Sequence, residues 1–420
     1  MTDNIKEVII AGGGASGLMA SISAARNGSH VILIEKNDRV GKKLLMTGNG
    51  RCNLSNECIS SSDYHSMTAG FAMGIIKRFD KNAVLEFFNG LGLEFSIEEN
   101  GRIFPRSMQA SSLLDLFRME IERLNIEVVT GSEIMTIICD RKGNFELTDK
   151  TGIPYKCRKA VISCGGRAAP QTGSDGYGYR LAGMMGHSII TPMPALVQLK
   201  LSGEAHKAME KMLWNAEVSL FLNNRKLRTV SGDIIFTYYG ISGLAVLDLS
   251  RDAVKGISDD QLTEIEINFL PDIPIDKKTA FIRRRRDDHP ERAMDNFLTG
   301  VINKRIGQTI IKAAGIRLGS KASELSENEI SRLARFLNGW RFTVTGNTGW
   351  ENAQVTAGGI DCREVNEKTL ESKLVKGLYF CGEILDVDGN SGGYNLQWAW
   401  SSGFIAGKAA SFPLDGGRRL

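Results

Sequence analysis

The chain has 420 residues, of which 42% are hydrophobic and 24% charged, and its formal net charge is +4. This length predicts two or three domains, and the composition is typical of a globular protein. So mild a charge does not by itself indicate a nucleic-acid partner. No apolar run approaches the roughly 20 residues of a membrane span, and without a signal-peptide pattern at the N-terminus the expected location is the cytoplasm.

The first 35 residues follow a strand–loop–helix–strand pattern. Glu7–Ala11 is an apolar strand-like run, Leu18–Asn27 has helix-forming composition that Gly28 would end, and His30–Ile34 is a second apolar run. An acid, Glu35, closes the second strand. This order, with a glycine-rich loop between the first strand and the helix, indicates a dinucleotide-binding fold.

The loop carries Gly12, Gly14 and Gly17 at G-x-G-x-x-G spacing. The first glycine permits a tight turn, the second lets the backbone approach a pyrophosphate, and the third allows the helix to pack closely on the strand. The pyrophosphate is expected at the positive N-terminal end of the helix, beside Ala15 and Ser16. Glu35, followed by Lys36, would accept hydrogen bonds from the ribose and repel a 2′-phosphate, which favours FAD or NAD over NADP.

The next stretch favours FAD over NAD. "GKKLLMTGNGRCNLSN" (Gly41–Asn56) is a loop dense in backbone donors where an NAD domain would continue into another helix and strand. Such a loop suits the long ribityl and isoalloxazine groups of FAD. The loop residues predicted to bind the cofactor are Lys43, Thr47, Gly50, Arg51, Cys52 and Asn53.

Several motifs resemble those of one known family. The opening motif, "GNGRCNLSN" and "GLYFCGEILDVDGNSGGYNLQWAWSSGFIAG" (Gly377–Gly407) are similar to those of the YhiN/aminoacetone-oxidase-like flavoproteins, also called BaiN/RdsA-type NAD(P)/FAD-dependent oxidoreductases. Tyr238 and Leu244 depart from the family's FTHxGxSGPA pattern. Further similar stretches are "GRIFPRSMQASSLLDLF" (Gly101–Phe117), "AVISCGGRAAPQTGSDGYGYRLAG" (Ala160–Gly183), "FTYYGISGLAVLDLS" (Phe236–Ser250) and "QVTAGGI" (Gln354–Ile360).

The resemblance implies an α/β fold with a glutathione-reductase-like, Rossmann-type FAD-binding domain into which a second domain is inserted. The FAD domain is expected in two parts, 1–191 and 345–420. The insertion, 192–344, is expected to be a substrate or cap domain, β-rich to about residue 275 and helical over 276–338. The apolar runs "KCRKAVISCGG" and "NIEVVTGSEIMTII" read as strands, in agreement with this fold.

The same resemblance implies further cofactor residues. The backbone of Ile134 would bind the adenine edge, and an acid at Glu383 would bind the ribityl or pyrophosphate group. A helix starting near Tyr394 would direct its N–H groups at the flavin N1/O2 edge and favour the reduced anion. Together with Ile134, Glu383 and Tyr394, the residues of this group are Gly165, Gly166, Gly382, Gly393, Asn395 and Leu396.

Catalysis is expected to be carried by the flavin, because no metal-ligand cluster, P-loop or HExxH motif occurs in the sequence. The protein's candidate catalytic residues are Arg51, Cys52 and Tyr394. Arg51 is expected to act as a fixed cation beside the ring, with few competing charges. For Cys52, close packing is favoured over a reactive thiolate. By analogy of fold alone, Arg102 and Arg106 line the substrate side.

Three functions fit these residues. The first is a reductase in which NAD(P)H visits the flavin transiently, since 192–344 holds no second GxGxxG, and an unsaturated carbonyl compound of bile-acid or steroid enone type is reduced. The second is an oxidase of an aminoacetone-like amine that passes electrons to O₂. The third is a flavin-bearing RNA-binding or regulatory protein, to which the basic run in Phe281–Leu298 would contribute. The first is favoured, with a small-molecule substrate and neither a nucleic-acid nor a membrane partner.

Overall fold

The computed structural model describes residues 6–98 and 100–411. In chain order the strands are β1 Lys6–Ala11, β2 Val31–Ile34, β3 Ser55–Asn56, β4 Tyr64–His65, β5 Phe95–Ile97, β6 Arg102–Pro105, β7 Glu127–Val129, β8 Ile134–Cys139, β9 Phe145–Asp149, β10 Pro154–Ile162, β11 Ile189–Ala195, β12 Leu199–Leu201, β13 Leu213–Leu222, β14 Arg225–Phe236, β15 Gly240–Ser242, β16 Thr263–Asn268, β17 Trp340–Asn347, β18 Val355–Ile360, β19 Leu378–Phe380 and β20 Asp388–Gly389.

The α-helices are α1 Ala15–Arg26, α2 Phe71–Ile76, α3 Lys81–Asn89, α4 Ala110–Arg123, α5 Tyr177–Met184, α6 Ala205–Ala208, α7 Leu244–Ser258, α8 Ile275–Asp288, α9 Lys304–Ala313, α10 Glu327–Asn338 and α11 Tyr394–Ala410. The chain divides into two compact units, one of residues 1–194 and 354–420 and the other Ala195–Ala353. We call them unit 1 and unit 2. Each has its own cluster of buried apolar side chains.

Unit 1 is built on a seven-stranded sheet. Its parallel part runs β7–β2–β1–β10, and the second half of β10 also pairs in parallel with β19. The first half of β10 pairs antiparallel with β9, which pairs with β8. β1 and β2 are almost entirely buried and apolar, as parallel strands covered on both faces must be. The carboxyl ends of β1, β2 and β10 therefore meet at one edge, where ligands bind in such sheets.

The first described helix, α1, packs against the last one, α11. Gly403 of α11 stands so close to α1 that a Cβ added to it would lie 2.4 Å from the Ser16 carbonyl oxygen. At Gly407 the added Cβ would lie 2.2 Å from the carbonyl oxygen of Ala20. These glycines let the two helix backbones touch, so that the last described helix forms part of the same core as the first strand.

Unit 2 combines a closed barrel with helices. Six strands close it in the order β12–β15–β14–β13–β16–β17. The range 276–338, expected to be helical, holds α9 and α10 and nearly all of α8. The range expected to be rich in strands also contains α7, whose fifteen residues bury Ala245, Val246, Leu249 and Ala253 at helical spacing. The second unit runs from residue 195 to 353, against the expected 192–344.

Candidate cofactor site

The glycine loop has the geometry that its sequence predicts. Gly12 adopts φ +109°, and a Cβ there would lie 2.5 Å from the Ser163 carbonyl oxygen. A Cβ on Gly17 would lie 1.9 Å from the Gly12 carbonyl oxygen, so helix and turn touch backbone to backbone. Gly14 is different, because no described atom lies within 4 Å of where its Cβ would stand. Gly14 also caps α1, and no side chain supplies a capping bond, so the helix N-terminus has open space in front of it.

Glu35 is held at the end of β2 by protein donors. Its Oε2 accepts a 2.7 Å hydrogen bond from the Gly13 N–H, and its Oε1 accepts one of 2.8 Å from the Asn37 N–H. The carboxylate is buried, with 7% of the residue exposed. The Asn37 side-chain amide also donates to Oε1, at 2.6 Å. Because each carboxylate oxygen has two acceptor positions, Oε1 is fully used and Oε2 keeps capacity for a ribose hydroxyl. Gly13 and Asn37 were not among the predicted residues, although "GGG" and "EKN" place them beside the loop and the acid.

A cleft opens beside Glu35 with about 420 Å³ of open space, solvent at its mouth included. At its rim the Lys36 Nζ lies 2.7 Å from a carboxylate oxygen of Asp175, and the Tyr177 hydroxyl donates to the Met135 carbonyl. Four of the lining residues were predicted to bind the adenosine half: Gly12, Glu35, Lys36 and Ile134. The cleft is also lined by Ala11, Ile34, Ser132, Glu133, Cys164, Gly173, Asp175 and Tyr177.

An ion pair joins two predicted segments that are far apart in sequence. The Lys43 Nζ lies 2.7 Å from Glu383 Oε2, and the Thr356 N–H donates to Glu383 Oε1 at 2.9 Å. A Cβ on Gly166 would stand 2.9 Å from the same Oε1, so this position has no room for a side chain. Gly165 is left-handed, with φ +74°. Thr356, which also accepts from the Arg167 N–H, was missed by sequence reasoning although it lies in the quoted "QVTAGGI".

The C-terminal motif lies against the glycine loop. A Cβ on Gly382 would stand 2.3 Å from the Ser16 Oγ, at the first turn of α1. The Trp398 indole N–H of α11 donates to the Gly382 carbonyl at 3.0 Å. Unit 1 thus brings Gly12–Gly17 and Gly382–Leu396 into one site, as a discontinuous cofactor domain requires.

The loop between Lys43 and Asn53 holds a run of left-handed residues: Gly48, Asn49, Gly50 and Cys52 have φ between +55° and +82°. Thr47 fixes this path, since its hydroxyl donates to the Leu44 carbonyl and its own carbonyl accepts from the Cys52 N–H at 3.0 Å. Non-glycine residues in this conformation are costly and concentrate at functional sites.

Arg51 is not the lone cation that the sequence suggested. Its Nη1 lies 3.3 Å from a carboxylate oxygen of Glu98, and its guanidinium stands over the Phe104 ring at 4.7 Å. Glu98 also pairs with Arg102 at 3.0 Å. The expectation of few competing charges is therefore wrong: Glu98, distant in sequence, partly neutralises both arginines. Arg106, the other arginine expected on the substrate side, is exposed.

Cys52 is fully buried, and burial raises the pKa of its thiol to about 12. Desolvation penalises the thiolate, and the thiolate is the reactive form. The structure therefore agrees with a close-packed residue and not with a reactive thiolate.

The second helix N-terminus of the site is that of α11. It begins at Tyr394, as expected, after Gly393 with φ +101° and without a side-chain cap. The Tyr64 hydroxyl donates to the Tyr394 carbonyl at 3.0 Å, which anchors the first turn. The Asn395 side chain is engaged by the backbone of Gly389, accepting from its N–H and donating to its carbonyl at 2.8 Å each. Its cofactor role would therefore have to come from its backbone N–H.

These features fit FAD. Two uncapped helix N-termini, those of α1 and α11, supply backbone N–H groups and positive dipole ends. Gly14 leaves space for the pyrophosphate, the cleft beside Glu35 is lined by residues predicted to bind the adenosine half, and Asn53, at the end of the left-handed loop, lies beside Gly393 at the start of α11. No helix among the described residues has the length and apolar character to cross a membrane.

Fold and site define a Rossmann-type, FAD-dependent oxidoreductase. The chain belongs to the family described as HI0933-like protein Rossmann domain, whose model matches residues 6–409. This confirms the predicted family, fold class and cofactor.

The chain is similar to three known proteins. The chain is 39% identical over 404 residues to a 3-dehydro-bile acid delta(4,6)-reductase of Clostridium scindens, covering 96% of this chain and 98% of that one. It is 31% identical over 396 residues to a ribosomal RNA dihydrouridine synthase of Escherichia coli, covering 94% and 96%. A solved 3-ketosteroid delta1-dehydrogenase of Sterolibacterium denitrificans matches with a TM-score of 0.53 at 11% identity, covering 97% and 99%, which shows the shared fold alone.

Proposed function

We propose that the protein is an NAD(P)H-dependent reductase of a carbon–carbon double bond conjugated to a carbonyl group, with a small steroid-like enone as substrate. The observation that carries this proposal is the 39% identity, over nearly the whole of both chains, to a bile-acid delta(4,6)-reductase. The cofactor cradle of unit 1 supports it, because such a reduction needs a two-electron carrier.

The chemistry divides between cofactor and protein. Bound FAD supplies hydride transfer at N5. The net reaction consumes NAD(P)H and one proton and saturates the double bond, with hydride added to the carbon β to the carbonyl and the proton to the α carbon. The N-terminus of α11 would hold the pyrimidine edge of the ring, where its N–H groups and dipole would favour negative charge. Lys43 and Glu383, ion-paired at 2.7 Å, position the ribityl or pyrophosphate group.

Two further assignments concern where the electron donor and the substrate bind. Residues 195–353 contain no second G-x-G-x-x-G, so NAD(P)H is proposed to visit transiently and not to occupy its own domain. Because the predicted cofactor residues lie in unit 1, we assign unit 2 the role of substrate domain.

A second candidate substrate is a uracil base in RNA. Relatives named ribosomal RNA dihydrouridine synthase occur in Escherichia coli, at 31% identity, and in Haemophilus influenzae, at 29% identity. The C5–C6 double bond of uracil is also conjugated to a carbonyl, so the same chemistry would reduce it. Unit 2 moreover exposes cations that would suit a phosphate backbone, namely Lys312 on α9, Arg317 after it, and Arg332 and Arg335 on α10, of which Arg332 lies 3.9 Å from Glu329.

One anaerobic experiment separates these functions. The purified yellow protein is mixed with NADH, NADPH or aminoacetone, and bleaching of the flavin is timed in a stopped-flow spectrometer. The reduced protein is then mixed with a 3-oxo-delta4 steroid, a uridine-containing RNA or O₂. The proposal requires rapid reduction by NADH or NADPH and reoxidation by the steroid faster than by O₂. Reoxidation by RNA alone would favour the second candidate, and reduction by the amine with fast reoxidation by O₂ would favour an amine oxidase.

A further inference from the structure

One buried polar atom near the start of α11 has no partner. The Asn53 Oδ1 is shielded from solvent and accepts no hydrogen bond from any described residue. A buried acceptor left unsatisfied destabilises the folded state, and native structures keep few such groups without a reason.

The position of Asn53 indicates what that reason is. A Cβ built on Gly393, the residue before α11, would lie 2.8 Å from the Asn53 Oδ1. On its other side, the Asn53 backbone nitrogen lies 3.0 Å from a Cβ built on Gly48, in the left-handed part of the loop. Asn53 therefore stands where the loop that follows the pyrophosphate site meets the second uncapped helix N-terminus.

Neighbouring polar side chains do not satisfy Asn53, because they bond to one another. The Ser55 hydroxyl donates to the Gln397 Oε1 at 2.6 Å, and the Gln397 amide donates to the Ser401 hydroxyl at 3.0 Å. Both Ser55 and Gln397 are fully buried. This internal pairing leaves the Asn53 carboxamide as the side chain at this junction with an acceptor to spare.

The chemistry of the cofactor supplies the missing donor. On its pyrimidine edge the oxidised isoalloxazine ring carries carbonyl and ring-nitrogen acceptors and a single N–H donor, at N3. The uncapped N–H groups of α11 match the acceptors of that edge. An orphaned acceptor beside those N–H groups matches its one donor. We propose that the Asn53 Oδ1 accepts a hydrogen bond from the flavin N3–H and so fixes the orientation of the ring.

The test crosses a protein variant with a cofactor analogue. Apoprotein is reconstituted with FAD or with N3-methyl-FAD, which lacks the N–H, and the dissociation constants are measured by quenching of flavin fluorescence. We expect the wild-type protein to bind the analogue at least tenfold more weakly. Asn53→Leu should bind FAD about tenfold more weakly and should lose the discrimination between the two cofactors. Asn53→Asp, which keeps an acceptor, should retain it, and so should Asn82→Leu, a change at an exposed position of α3.

Two further measurements do not depend on turnover. Urea unfolding of each apoprotein checks that Asn53→Leu folds. The ¹⁵N and imino-proton signals of N3 in labelled FAD should shift downfield on binding to the wild-type protein, which needs no variant. Equal affinity of the wild-type protein for both cofactors, equal discrimination by Asn53→Leu, or an unshifted N3 signal would each overturn the proposal. None of these outcomes depends on the substrate, so the proposed function stands or falls separately.

Discussion

Replacing Gly14 by alanine should weaken FAD binding without unfolding unit 1. At φ −79° and ψ −172° the backbone of Gly14 suits any residue, and the added methyl group would meet no described atom within 4 Å. Alanine is a poorer helix N-cap than glycine by about 1 kcal/mol, and the smaller entropy of its unfolded chain returns about 0.4–1 kcal/mol. The free energy of unfolding of the apoprotein should therefore change by less than about 1 kcal/mol.

The same methyl group would contact the bound cofactor directly. If the pyrophosphate approaches the backbone at Gly14, the methyl group occupies part of its space. Inserting a methylene into a packed site costs about 1–3 kcal/mol, and about 1.4 kcal/mol is tenfold in affinity. The dissociation constant of FAD should rise by roughly 5- to 150-fold.

Gly17→Ala is the matched control three residues away. Its Cβ would lie 1.9 Å from the Gly12 carbonyl oxygen, a backbone contact that cannot yield cheaply, so this variant should lose about 3 kcal/mol or more of stability even without cofactor. Fluorescence titration gives the affinities, and urea unfolding of the apoproteins gives the stabilities. Unchanged FAD affinity in Gly14→Ala would refute the placement of the pyrophosphate, and wild-type stability in Gly17→Ala would refute the packing argument.

Three shorter predictions follow from other parts of unit 1. Arg51→Ala should lower the two-electron midpoint potential by up to about 30 mV, which corresponds to about 1.4 kcal/mol. An anaerobic dye titration measures this shift, and an unchanged potential would show that the guanidinium does not act on the ring. The His187 imidazole is buried against Phe380, and burial holds its pKa below the usual 6.5, so the folded state binds fewer protons than the unfolded state. Its contribution to stability is therefore present above about pH 6.5 and lost as the pH falls further; the urea midpoint should fall with pH in the wild-type protein and less steeply in His187→Gln, and parallel curves would contradict this. In the native protein iodoacetamide should modify exposed Cys58 well before buried Cys52, as mass spectrometry of timed samples would show; early labelling of Cys52 would contradict its raised pKa.

The sequence predicted the features that depend on neighbours in the chain. The turn at Gly12 and the close approach at Gly17 follow from local spacing. These rules relate a few consecutive residues to a backbone shape, so they need no knowledge of the rest of the fold. The start of α11 at Tyr394 follows from the resemblance of the C-terminal motif to the family.

What the sequence could not supply depends on contacts between distant residues. The sequence around Arg51 does not indicate that Glu98 pairs with it. The two residues meet only when the chain folds and β6 brings the loop before it beside the left-handed segment. The engagement of Asn395 by Gly389 and the role of Thr356 beneath Glu383 are likewise set by tertiary packing. The helix α7 lies in the range expected to be rich in strands, although its buried residues Ala245, Leu249 and Ala253 recur at helical spacing.

The joining of α1 to α11 has a consequence for synthesis on the ribosome. β10 gains its partner β19, and α1 gains Gly403 and Gly407, only after nearly all of the chain has been translated. Unit 2 is continuous from residue 195 to 353, so it can fold before the second part of unit 1 has been synthesised. We expect a nascent chain stalled before residue 378 to carry a folded unit 2. The small-residue face of α1 would be uncovered at that stage and open to chaperones. FAD would bind only after the chain is released.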